Sequence, residues 1–117
     1  MTRVRSLLAE ATKGSLALHL SIINLGEVLY VVEREQGVVA AQRTLAAIDQ
    51  LPIQVQPADR SVVLSAARLK ARYAISYADA FAVVVAQERQ AVLLTGDPDF
   101  KPLVADGILH VEWLSRR

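Results

Sequence analysis

The sequence contains no cysteine. That excludes disulfides and thiolate metal sites and fits a reducing, cytoplasmic setting. No apolar run approaches the roughly 20 residues that a membrane-spanning helix needs. The first residues, Met1-Thr-Arg-Val-Arg-Ser, lead into an amphipathic segment rather than the apolar stretch of a signal peptide. An excess of charge of either sign is lacking as well. Thirteen Lys and Arg stand against 12 Asp and Glu, and a net charge of +1 gives no global pull toward nucleic acid or a membrane. Aromatics make up only 5% of the chain, so a core must come from Ala, Val, Leu and Ile. The 117 residues suffice for one domain around one such core.

What is present alternates between helical and extended patterns. Val4, Leu7, Leu8 and Ala11 share one face of a helix over 3–12, and Gly14 stands where its cap belongs. Residues 16–20 read as a short apolar strand containing His19, which is expected to be packed or at the sheet edge rather than a ligand. Ser21 caps a helix over 22–35, stopped by Gly37. A helix over 38–50 follows, then a peripheral strand over 53–56. Asp59 caps a helix over 60–73, and Ser76 caps another from Asp79 to Glu88. Gln90 turns the chain into a strand over 91–95. Gly96-Asp97-Pro98-Asp99 is a loop with two carboxylates, and a short helical turn over 99–103 follows it. Asp106-Gly107 turns into a last strand over 108–114, in which His110 faces solvent, and Arg116-Arg117 is a frayed end. Strands separated by helices predict an α/β fold, with a mostly parallel central sheet covered on both faces.

That order brings carboxylates together. The helix from Asp79 runs about 15 Å to Arg89. The strand from Ala91 to Thr95 runs back about 13–17 Å. Asp79 and Asp97 should therefore finish at one edge of the sheet. Taken singly, Asp79 is equally a helix-capping acid and Asp97 equally a turn residue. Glu27, early in an apolar helix, either faces water in a cleft, binds something, or only complements the helix dipole. In a parallel α/β sheet all three lie at the carboxyl edge, where such folds bind ligands. Clustered carboxylates repel one another without a counter-charge. An all-oxygen set without cysteine favours Mg²⁺ or Mn²⁺ over Zn²⁺. Metal-assisted phosphodiester hydrolysis is the chemistry that such a set suits, with Asn24, Ser76 and Thr95 placed to orient acids or water. Arg60, Arg68, Lys70 and Arg72 form either a solvated helix face or contacts to phosphates.

Three segments in this order resemble the PIN-domain family, in its VapC-type toxin branch: Ser21-Ile-Ile-Asn-Leu-Gly-Glu27, Ser76-Tyr-Ala-Asp79-Ala-Phe81 preceded by Leu69-Lys-Ala-Arg-Tyr73, and Leu94-Thr-Gly-Asp97-Pro-Asp-Phe100. The resemblance spans nearly the whole chain as a single PIN-like domain. It implies a three-layer α/β/α fold and a Mg²⁺-dependent endoribonuclease, the toxin of a type II toxin–antitoxin system. It also implies RNA as substrate, a cognate antitoxin and a homodimer as partners, and a site of Glu27, Asp79, Asp97 and the neighbouring Asp99. Arg68, Lys70 and Arg72 are then the candidate RNA contacts. The family begins with a strand ending in Asp that this chain is expected to lack, which would leave the strands on either side of it about 9–10 Å apart.

Two other readings remain open. One is a non-catalytic remnant that keeps a surface for the antitoxin or a second copy, with Leu25, Val28, Leu29 and Val32 as its apolar stock. The other is a phosphoryl-accepting or small-ligand module. That chemistry wants a lysine at the acidic edge, and Lys101 is the one candidate near the loop.

Overall fold

A computed structural model describes residues 3–114; the Arg116-Arg117 end lies outside the described residues. In order, the elements are α1 (Arg3–Thr12), β1 (Leu18–Ser21), α2 (Ile22–Gln36), α3 (Val38–Asp49), β2 (Ile53–Gln56), α4 (Arg60–Arg72), α5 (Tyr77–Glu88), β3 (Leu93–Thr95), a single 3-10 turn (Pro98–Phe100), α6 (Lys101–Ala105) and β4 (Val111–Trp113). Among the described residues no helix is long and apolar enough to cross a membrane. The chain divides into two compact units, Met1–Pro57 and Ala58–Arg117.

In the first unit, short polar side chains and glycines set the helix boundaries. The Ile23 N–H donates to Ser21 Oγ at 3.1 Å and so caps α2. Gly37, at φ 93°, ends α2 and starts α3 in a conformation that a side chain would oppose. Helices α2 and α3 pack on each other, and β1 and β2 pair in parallel with Leu18 opposite Ile53 and Ser21 opposite Gln56. His19 is half-buried, with its Nδ1 2.9 Å from the Gln56 amide nitrogen, so it packs within the sheet as expected. Among the described residues of this unit, Leu25 and Ala41 are the buried apolar ones, and Ser21 and Gln56 the buried polar ones.

The second unit holds most of the core. Asp59 caps α4 by accepting the Val62 N–H at 3.0 Å. Val62, Ala66 and Leu69, at helical spacing, are buried along one face of α4, which packs on α5. On α5, Ala80, Phe81, Val83, Val84, Val85 and Ala86 are all buried. At 100° per residue these positions go right round the helix, the pattern of a helix enclosed on all sides. Ile75, Phe100, Leu103 and Leu109 complete the core among the described residues.

The last strands are shorter than the apolar runs predict. The Ala91 N–H donates to the Ala86 carbonyl at 2.8 Å to close α5, and Gln90 takes φ 51° to allow it. Residue 91 is therefore spent on the helix end, Val92 is exposed, and β3 begins at Leu93. Likewise the Ile108 N–H goes to the Leu103 carbonyl, and β4 begins at Val111. The strands are parallel as expected, with Leu93 opposite Val111 and Thr95 opposite Trp113. By hydrogen bonding, β1 pairs with β2 in the first unit and β3 with β4 in the second. His110 is exposed, as its alternation with apolar neighbours predicts.

Tyr73, at the end of α4, donates its O–H to Asp106 Oδ2 at 2.6 Å. That hydrogen bond, reinforced by the negative charge of Asp106, raises the Tyr73 ionisation above the ordinary phenol value. A pKa raised on folding gives stability that is complete below the unfolded value, about 10, and lost as pH rises through the folded one. Alkaline titration of tyrosine absorbance should show one late-ionising phenol, which Asp106→Asn returns toward the others. Separately, Asp59→Ala should lower the free energy of unfolding by about 1 kcal/mol in urea denaturation, through the lost cap.

Candidate functional site

Asp79 occupies the third position of α5. Its N–H donates to Ser76 Oγ at 3.1 Å, so the capping serine also anchors the backbone of the acid. In a complete capping box the acid would reach back to the serine N–H. Here only the serine half forms, and the half-buried Asp79 carboxylate has no hydrogen-bond or ion-pair partner among the described residues. The fold fixes the residue and leaves its oxygens available.

Asp97 lies two residues beyond β3. Its N–H donates to Thr95 Oγ1 at 3.1 Å. Its Oδ1 accepts the Asp99 N–H at 2.9 Å and so caps the turn over Pro98–Phe100. The second oxygen has no internal partner among the described residues. Asp97 is thus a turn residue and an available acid together. Two of the three polar residues expected to orient the acids, Ser76 and Thr95, contact the backbone of an acid directly. Asn24, the third, is half-buried one turn before Glu27 in α2. Asp99 is exposed, and its carboxylate points to no internal donor among the described residues.

Glu27 belongs to the first unit. It is exposed, as are its neighbours Gly26 and Val28. The apolar residues around it in sequence do not enclose it, because residues adjacent in sequence point to different sides of a helix. Among the described residues no three acidic or histidine side chains are grouped closely enough to hold a metal ion. The donor chemistry of the second unit still suits a hard cation. Mg²⁺ takes one or two carboxylates and keeps several waters. Asp79 and the outer oxygen of Asp97 are carboxylate donors of that kind, held by their backbones and not consumed by the fold.

The basic residues of α4 are also exposed. Arg68 and Arg72 are one turn apart on one side of the helix, and Lys70 is on the other. Lys70 and Arg72 lie in the last turn, where cations complement the helix dipole, so a structural role accounts for part of this cluster.

One feature was not apparent from the motifs. An open cavity of about 360 Å³ lies against the acidic loop, lined by Gly96, Pro98, Lys101, Trp113 and Leu114. Trp113, which lines it, is paired with Thr95, and that pairing is invisible in local sequence.

No curated protein sequence matches the chain. Five chains of solved structures match it. One belongs to a toxin–antitoxin complex from Klebsiella pneumoniae, 22% identical, with a TM-score of 0.55. The match covers 68% of this chain and 63% of that one, so this chain spans less than two thirds of that protein's length. At that identity the likeness is one of fold. The sequence model of the PIN domain matches residues 2–104, nearly the whole length, and the chain belongs to the PIN-domain family.

Proposed function

We propose that this chain is a divalent-metal-dependent endoribonuclease, of the VapC type, acting as the toxin of a type II toxin–antitoxin pair. PIN domains are generally nucleases and typically use divalent metals. The observation that carries the reading is Asp79: an acid anchored through its backbone to the helix cap while its carboxylate stays without a partner among the described residues. A group that only capped the helix would be expected to close the box. Asp97 adds a second carboxylate, with Thr95 steadying its backbone.

In this reading Asp79 and Asp97 hold Mg²⁺ or Mn²⁺, with Asp99 as a further carboxylate of the same loop. When bound, the metal lowers the pKa of a water and offsets charge at the phosphorus. The chain's own part is to hold the acids still. Ser76 and Thr95 do this through the backbone N–H groups, so the carboxylate oxygens need no other restraint. Arg68 and Arg72 offer adjacent cations to successive RNA phosphates, with Lys70 outside that line. The toxin–antitoxin role is supported by the neighbour from Klebsiella pneumoniae, and an antitoxin and a second copy of the chain are the expected partners.

A second reading, a PIN remnant that binds partners without cleaving RNA, is favoured by the exposed apolar residues of the first unit. Ile22, Val28 and Tyr30 on α2, and Val38, Val39 and Leu45 on α3, are all exposed. Of the apolar stock anticipated on α2, Leu25 is buried, Leu29 and Val32 are half-buried, and Val28 is exposed.

Cleavage separates the readings. The purified chain should cut RNA in Mg²⁺ and stop in chelator. Asp79→Asn and Asp97→Asn should each lower the rate about a hundredfold or more, as loss of several kcal/mol of charge stabilisation requires. Equal rates for Asp79→Asn and the parent would end the catalytic reading. The control is stability: Asp79→Asn should cost less than about 1 kcal/mol in urea unfolding, because only a helix-dipole interaction is lost. Saturating Mg²⁺, at a hundred times its Kd, should stabilise the parent by about 2.7 kcal/mol. That gain should vanish in the double variant Asp79→Asn, Asp97→Asn.

A further inference from the structure

The cavity beside the acidic loop combines features that the metal chemistry does not use. Trp113 stands in register with Thr95, and the Leu114 N–H donates to the Thr95 carbonyl at 2.8 Å. The backbone that carries Trp113 is thereby fastened to the strand that delivers Asp97 two residues later. A chain with few aromatics leaves its one tryptophan 43% exposed, at the wall of a cavity. Lys101, on the same wall, is exposed and has no ion-pair partner among the described residues. The Asp97 and Asp99 carboxylates lie a few residues before it in the chain.

A flat π-face and an ammonium group lining one cavity match one nucleotide of a single strand. The base stacks on the ring and the phosphate meets the cation. We propose that this cavity is a nucleotide subsite, in which a base of single-stranded RNA stacks on Trp113 while its backbone phosphate contacts Lys101. The proposal rests on the ribonuclease reading for the identity of the ligand. Its consequence is positional. The subsite is built on the same strand pair as Asp97, so a base seated on Trp113 fixes where the neighbouring backbone runs relative to the acids. Stacking accepts any base, which makes the subsite one for unpaired strands rather than for one sequence. A duplex, whose base faces are already stacked, cannot use it.

Trp113 is the only tryptophan, so its fluorescence reports the subsite alone. A short single-stranded oligoribonucleotide, titrated in chelator to prevent cleavage, should quench it saturably. The same sequence as a duplex should quench it far less. In anisotropy with labelled RNA, Trp113→Leu should weaken binding about fivefold or more, the lower end of what one stacked base contributes. Lys101→Gln should weaken binding and reduce the slope of log K against log salt by about 0.7, the value for one phosphate of a single strand. Both residues are exposed, so both variants should fold. Absence of quenching, equal quenching by the duplex, or unchanged affinity in Trp113→Leu would overturn the subsite. Quenching without cleavage in Mg²⁺ would retain the subsite and remove the nuclease reading. Cleavage that is indifferent to Trp113→Leu would do the reverse.

Discussion

Everything in the second unit depends on the burial of α5. Apolar residues cover its whole circumference, the pattern of a helix enclosed on every side. Both ends are fixed too. Ser76 caps the first turn, and the Ala91 N–H closes the last one through a left-handed Gln90. A residue such as Gln90 meets steric resistance at positive φ, which the surrounding structure must offset. The geometry that costs energy there is what turns the chain directly from α5 into β3.

The candidate chemistry follows from those two ends. The capped end presents Asp79, and the strand launched from the closed end presents Asp97 through Thr95. Short hydroxyl side chains do the positioning at both places. They bind backbone N–H groups and leave the acids' outer oxygens unused, so rigidity and availability coexist. A carboxylate locked in an internal ion pair would gain stability and lose access to a cation. The first unit contrasts with this. It buries few apolar residues and exposes many, and that distribution suits association more than chemistry.

The helix framework was legible in the sequence because its determinants are local. Ser21, Asp59 and Ser76 announced caps by residue type and spacing, and each caps the expected helix. The fold class followed from the alternation of helical and extended segments, and the family from three spaced motifs. Strand lengths were not legible, since an apolar run does not reveal that Ala91 serves the helix behind it. Nor was the pairing, because the contact between Thr95 and Trp113 joins segments with no shared local pattern. For Glu27 the sequence leaves a watery cleft, a bound partner and the helix dipole all open, because apolar neighbours do not reveal which side of the helix is covered; it is exposed. The cavity at Lys101 and Trp113 is not legible for the same reason as the pairing: its wall includes a residue of β4, which lies beside β3.

The central claim is that Asp79 and Asp97 hold a divalent cation. Crystals soaked in Mn²⁺ and measured for anomalous scattering test it without reference to any substrate. The proposal predicts manganese within coordination distance of both carboxylates. Manganese bound only elsewhere, or absent from both residues at saturating concentration, would contradict it.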